Sequence, residues 1–119
     1  MKKKLSILLV LIPAVVLGAA SANAISEFNR LRTQFTGSEK CLDIINDGAN
    51  DQLIMADCAD YSGQFWSFQP IGSEGYYRLR TMFTGEDKCL DIINDGMNDQ
   101  LIMVDCGNYS GQLWQISDF

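Results

Sequence analysis

The stretch Lys40–Cys58, KCLDIINDGANDQLIMADC, returns as KCLDIINDGMNDQLIMVDC at Lys88–Cys106, and that recurrence decides how the rest of the chain is read. Extended in both directions, the match pairs Arg30–Trp66 with Arg78–Trp114 at a period of 48 residues, with eight differences in 37 positions. The domain is an internal duplication, so what one copy builds the other should build too. Within a copy, Asn46-Asp47-Gly48 or Asn94-Asp95-Gly96 is turn chemistry that tolerates positive φ. It separates the apolar run CLDII from the run LIM, which read as two strands. Alternating residues in RLRTQF or RLRTMF, followed by Thr-Gly, predict a strand before this pair, and QFWSF or QLWQI predicts one after it. No helical period of useful length is present, so the expectation is an all-β domain with four strands per copy.

Outward from the repeats, the N-terminal segment reads as a secretory signal peptide, residues 1–24. Lys2, Lys3 and Lys4 precede an apolar run from Leu8 to Ala20, and Ala22 and Ala24 put small residues where a signal peptidase reads. The run is shorter than the roughly 20 residues of a spanning helix, and no second apolar stretch follows. The remainder, 25–119, is expected to be secreted or periplasmic, with no membrane insertion after signal removal. Its repeats run from about 29 to 70 and from about 77 to 118. It carries six Lys and Arg against fifteen Asp and Glu, a net charge of −9. A surface this acidic repels phosphate backbones, which argues against nucleic acid and anionic membranes as partners. A core this small is marginal without cross-links, and four cysteines in an exported chain supply them in one of three pairings.

Enzyme chemistry finds little to work with. The chain has no histidine, which removes Ser-His-Asp, Cys-His and His-ligated zinc arrangements together. Each carboxylate that could serve a glycosidase recurs in both copies rather than forming one asymmetric acid and base pair. The segments DIINDGAND and DIINDGMND gather oxygens as a calcium site would, but their spacing fits no EF-hand loop and the turn already accounts for them. No catalytic residue, metal ligand or cofactor is assigned.

The order Cys-Leu-Asp, then Asp-Cys, then Gln-x-Trp (Gln64-Phe65-Trp66 and Gln112-Leu113-Trp114) resembles the repeat of the ricin B-type, or R-type, β-trefoil lectins. The resemblance covers nearly all of 25–119. It implies a β-trefoil-like fold of two four-stranded lobes in tandem, and an exported, non-catalytic carbohydrate-binding module whose partner is a glycan or polysaccharide. By the same resemblance Trp66 and Trp114 are core residues, which their place in apolar strands independently favours. It also implies local disulfides, Cys41–Cys58 and Cys89–Cys106, each closing a loop of about 17 residues worth roughly 3 kcal/mol in the chain-entropy model. The carboxylates that accept sugar hydroxyls would be Asp43 and Asp91, although an Asp in this position can instead brace the adjoining turn. Gln64 and Gln112, largely structural hydrogen-bond partners in that family, complete the motif and stand among the candidate carbohydrate contacts.

Two departures from the family pattern bear on the site. The aromatic residue commonly found two positions before the second cysteine is Ala56 or Val104 here, and the Asn commonly found before the motif Gln is Gly63 or Gly111. Candidate replacements lie nearby: Tyr61 and Tyr109 in YSGQ loops, and the amides Asn46, Asn50, Asn94 and Asn98. The alternative function is a structural or protein-interaction module whose sugar sites are degraded. A trefoil has three lobes and the repeats number two, which leaves three ways to cover the strand edges. Chains can associate as a homo-oligomer, Ile25–Asn29 and Ile71–Tyr76 can patch the gap, or the trefoil can be compact and incomplete; association is favoured.

Overall fold

The computed structural model describes residues 27–117, so the signal segment 1–24 lies outside the described residues. Seven strands follow in chain order: β1 (Lys40–Ile44), β2 (Leu53–Asp57), β3 (Trp66–Ile71), β4 (Tyr76–Thr81), β5 (Lys88–Ile92), β6 (Leu101–Asp105) and β7 (Trp114–Gln115). Single 3₁₀ turns, Ser62–Gln64 and Ser110–Gln112, precede β3 and β7. The repeated stretch folds the same way twice. β1 pairs antiparallel with β2, and β5 with β6, in equivalent registers such as Asp43 opposite Ile54 and Asp91 opposite Ile102.

The turns between these strands follow from their chemistry. Asp47 Oδ1 accepts the N–H groups of Ala49 (3.1 Å) and Asn50 (2.9 Å), and Asp95 Oδ1 those of Met97 (3.0 Å) and Asn98 (3.1 Å). Positive φ falls at Gly48 (92°) and Asn50 (57°), and again at Gly96 (93°) and Asn98 (56°). These are the residue types that enter the left-handed region most readily. Both disulfides pair locally, Cys41–Cys58 and Cys89–Cys106, with Cα separations of 5.1 and 5.0 Å.

The opening strand differs between copies. In the second copy Arg78–Thr81 belongs to β4, which lies between β3 and β7 in a three-stranded sheet. In the first copy the identical Arg30–Thr33 forms no strand, and only an isolated bridge joins Asn29 to Trp66, the counterpart of Tyr77 opposite Trp114. Neighbours account for this. β4 gains six paired residues from β3 of the preceding repeat, and no such strand lies beside Arg30–Thr33 among the described residues. The Ile71–Tyr76 segment patches no gap: it is the tight hairpin turn between β3 and β4, where Ile71 pairs with Tyr76. Pro70 is tolerated because β3 is an edge strand of that sheet. β4 also ends at Thr81, so Met82 and Phe83 belong to a turn rather than to the strand read from RLRTMF.

The core gathers Ile44, Trp66, Leu79, Leu90 and Met103 from both copies. Met103 N–H donates to Asp51 O at 2.9 Å and ties the two β-hairpins together. Trp66 is fully buried and Trp114 only partly, because β4 covers β3 and, among the described residues, no further strand covers β7. Both indoles nonetheless keep the same bond, Nε1 to Leu42 O or Leu90 O, at 3.0 Å.

Four aspartates hold their carboxyls below the usual carboxylate range. For Asp47 and Asp95 the leading cause is the N–H of Asn50 or Asn98; for Asp57 and Asp105 it is the hydrogen bond from Lys40 or Lys88. A lowered folded value means that the contribution is complete above the unfolded range near pH 4 and is lost as pH falls through the folded value. In about 0.5 M salt, where repulsion across the acidic surface is screened, the melting temperature should be flat from pH 5 to 8 and fall from pH 4 to 2. Calorimetric melts across that range check this, and a melting temperature that rises between pH 4 and 2 contradicts it.

Candidate functional site

Asp43 on β1 and Asp91 on β5 are half-buried and held from two sides. Asp43 Oδ1 accepts Ile44 N–H at 2.7 Å and its Oδ2 accepts Gln64 Nε2 at 3.0 Å; for Asp91 the partners are Ile92 N–H (2.7 Å) and Gln112 Nε2 (3.1 Å). Each carboxylate oxygen therefore keeps accepting capacity beyond its internal bond. The Asp residues brace the strand end and also line a surface depression.

Gln64 and Gln112 occupy a different place from the other candidates. Both are fully buried. Gln64 Nε2 also donates to Asp57 O (2.9 Å) while its Oε1 accepts Ala59 N–H (2.9 Å), and Gln112 does the same with Asp105 O and Gly107 N–H, both at 3.0 Å. With both ends of the amide engaged inside the fold, they position the carboxylates and offer nothing to a ligand. That corrects their place among the candidate contacts. Burying an amide is favourable only when it is paired in this way.

The glycines before them have a steric cause. A Cβ at Gly63 or Gly111 would overlap Asp43 Oδ1 or Asp91 Oδ1. The carboxylate sits against the 3₁₀ turn only because no side chain occupies that position.

The first depression, about 320 Å³, is lined by Asp43, Asn46, Tyr61, Ser62 and Phe83 among others. The second, about 500 Å³, is lined by Asp91, Asn94, Asn98, Asn108 and Tyr109. Of the four candidate asparagines, Asn50 alone stays out of both, held in the turn with its Oδ1 accepting Gly48 N–H at 3.3 Å. Tyr61 and Tyr109 stand at the rims, each 62 % exposed. Position 108 differs in charge from its counterpart Asp60: Asn108 accepts Arg78 Nη2 at 3.0 Å, and Asp60 pairs with Arg30 Nη2 at 2.8 Å. Phe83, Ser62 and Asn108 are lining residues that the sequence reading did not single out. Phe83 was hidden because it was counted in a strand, though Thr81 and Thr84 three residues apart signal a hydroxyl-bonded turn. Among the described residues no group of three or more His, Cys, Asp or Glu converges to hold a metal ion.

Each depression is lined by one oriented carboxylate, at least one asparagine and a rim tyrosine. Such an arrangement can take hydrogen bonds from adjacent hydroxyl groups. Residues 28–118 match the family model described as a ricin-type beta-trefoil lectin domain. No curated protein matches the chain. Among solved structures, the crystal structure of a designed 3-fold symmetric protein, ThreeFoil, is similar, with a TM-score of 0.63 and 25 % identity over 78 % of this chain and 66 % of that one. The chain thus spans just under two thirds of that protein's length.

Proposed function

The chain belongs to the ricin-type β-trefoil lectin domain family, and from that membership we propose that it is an exported, non-catalytic module that binds glycans through one shallow site per repeat. The observation that carries the reading is the duplicated carboxylate clamp. Asp43 and Asp91 are each fixed by a buried Gln and a backbone N–H and flanked by a rim Tyr and an Asn. An acceptor held in place before the ligand arrives loses little freedom on binding. Export is supported by Ala22-Asn23-Ala24 and by the two disulfides, which persist in oxidising compartments. Each site buries little area, so a dissociation constant of roughly millimolar order, about −4 kcal/mol, is expected. Two sites in one chain raise avidity on a dense glycan surface, further so if chains associate at their open edges.

The test is retention on glycan resins by the parent and by the double variant Asp43→Asn, Asp91→Asn. Loss of retention is expected. Asn keeps the shape, but its NH₂ must face either a backbone N–H or the Gln amide, so the variant's melting temperature is measured alongside. Full retention by a folded double variant rules out these carboxylates. A second reading, a protein-interaction module, is supported by apolar groups beside the open edges, where Phe35 is 97 % and Ile116 65 % exposed. A folded parent that is retained by no glycan shifts the function to those edges.

A further inference from the structure

Phe35 and Phe83 are equivalent residues on equivalent turns. Thr33 and Thr36 close one turn through their hydroxyls at 2.8 Å, with Thr36 N–H donating to Thr33 Oγ1 at 3.0 Å; Thr81 and Thr84 close the other at 2.7 and 3.0 Å. Gly37 N–H and Gly85 N–H complete each turn by donating to the first threonine's carbonyl at 3.0 Å. Local geometry is therefore held constant, yet Phe35 is 97 % exposed and Phe83 only 37 %. What differs is the neighbour. Met82 N–H donates to Phe65 O at 3.0 Å and fastens the second turn onto the first repeat, where Phe83 forms part of the wall of the depression that holds Asp43.

We propose that Phe83, carried by the second repeat, is the stacking platform of the first repeat's sugar site. It replaces the aromatic residue absent at Ala56, and its ligands are pyranosides that turn a contiguous C–H face to the protein. The assignment rests on the carbohydrate reading above and deepens it, because it makes the two sites unequal. The second depression has no counterpart of Phe83 among its lining residues; its lining is instead richer in amides, with Asn94, Asn98 and Asn108. The two rims differ as well. Tyr109 lies where a Cβ on Gly107 would collide with its ring, and Ala59 fills that space in the first repeat, so Tyr61 cannot adopt the same pose. Both sites have a carboxylate and a rim tyrosine; the first adds the Phe83 ring, and the second adds amides in its place. Phe83 is a specificity-determining residue contributed across the repeat boundary.

The experiment titrates the full chain with methyl pyranosides of galactose, glucose, mannose and N-acetylglucosamine, followed by NMR, in an Asp91→Asn background so that the first site reports alone. Ligand C–H protons should move upfield under the ring current of the bound aromatic. Phe83→Ala should weaken the preferred pyranoside about tenfold and remove that upfield shift. Phe83→Tyr should retain both, and Phe35→Ala should leave both unchanged. Phe83 lies outside the buried core cluster, so the variants are expected to fold, and the unchanged amide spectrum of the β-hairpins verifies it. If Asp43→Asn abolishes binding while Phe83→Ala binds as the background does, the platform assignment fails and the carbohydrate reading stands. If the parent chain binds none of these pyranosides and no glycan resin, both fail.

Discussion

Reduction of both disulfides at neutral pH is expected to unfold the domain at 37 °C, with the fully buried Trp66 moving into water and its emission shifting to the red. Each bridge closes a loop with a sequence separation of 17 residues, and in the chain-entropy model such a loop withholds about 3 kcal/mol from the unfolded state. Two independent loops therefore account for roughly 6 kcal/mol, comparable with the whole stability of a typical small domain. The packed core offers little to replace them: among the described residues its fully enclosed cluster is Ile44, Trp66, Leu79, Leu90 and Met103, and the hydrophobics packed against it, Leu31, Leu42 and Trp114 among them, are only partly buried. Opening one bridge at a time separates the contributions. Cys41→Ala with Cys58→Ala, or Cys89→Ala with Cys106→Ala, should lower the melting temperature by about 12–24 °C while leaving the other copy's hairpin paired. Alanine is the suitable replacement because Cys41 and Cys89 are fully buried, where a serine hydroxyl would add a desolvation penalty of its own. A reduced chain whose melting temperature stays within a few degrees of the oxidised form would show that packing, not cross-linking, holds the fold.

The features legible in the sequence are those set within about twenty residues of chain. The Asn-Asp-Gly turns, the two hairpins and the strands that begin at Trp66 and Trp114 follow from chemistry contained in one copy, and the local cysteine pairing from the family resemblance. What the sequence did not disclose arises where copies meet. RLRT is identical at Arg30–Thr33 and Arg78–Thr81, yet only the second is a strand, because β3 of the other copy lies beside it. Strand formation here belongs to the partner rather than to residue propensity. Trp66 and Trp114 differ in burial for the same reason, and so do Phe35 and Phe83. At the site, the family resemblance pointed to Asp43 and Asp91, and residue type pointed to Asn46, Tyr61, Asn94, Asn98 and Tyr109; all of them line one of the two depressions. Gln64 and Gln112 show the limit of that method: a polar side chain in a motif repeated within the chain can serve a ligand or the fold, and only its buried partners decide between them.

Gly63→Asn, which would install the residue that the family pattern leads one to expect, should weaken the first site rather than strengthen it. Any Cβ at position 63 overlaps Asp43 Oδ1, with Ile44 N at 3.3 Å and Ile44 Cβ at 3.5 Å closing the other sides. The strand backbone cannot move without disturbing β1, so the carboxylate is the group that yields. Rotation of Asp43 breaks its bonds from Ile44 N–H and Gln64 Nε2 together and leaves the buried Gln amide short of an acceptor. Charge-assisted bonds of this kind contribute about 1.5–3 kcal/mol each, so a loss of a few kcal/mol of stability is expected, with unfolding prevented by the two disulfides. Binding should suffer more than folding, because the acceptor that sugar hydroxyls must find is no longer aimed at the depression. Gly63→Ala isolates the Cβ from the amide and should reproduce most of the effect, a tenfold or greater loss at the first site, while Gly111→Ala does the same to the second through Asp91. Titration of each single variant with the same methyl pyranosides, beside its thermal melt, checks the expectation. A Gly63→Ala chain that binds like the parent would mean that Asp43 need not occupy its observed position, and a Gly63→Asn chain that binds more tightly would mean that the amide, not the oriented carboxylate, is the group the ligand uses.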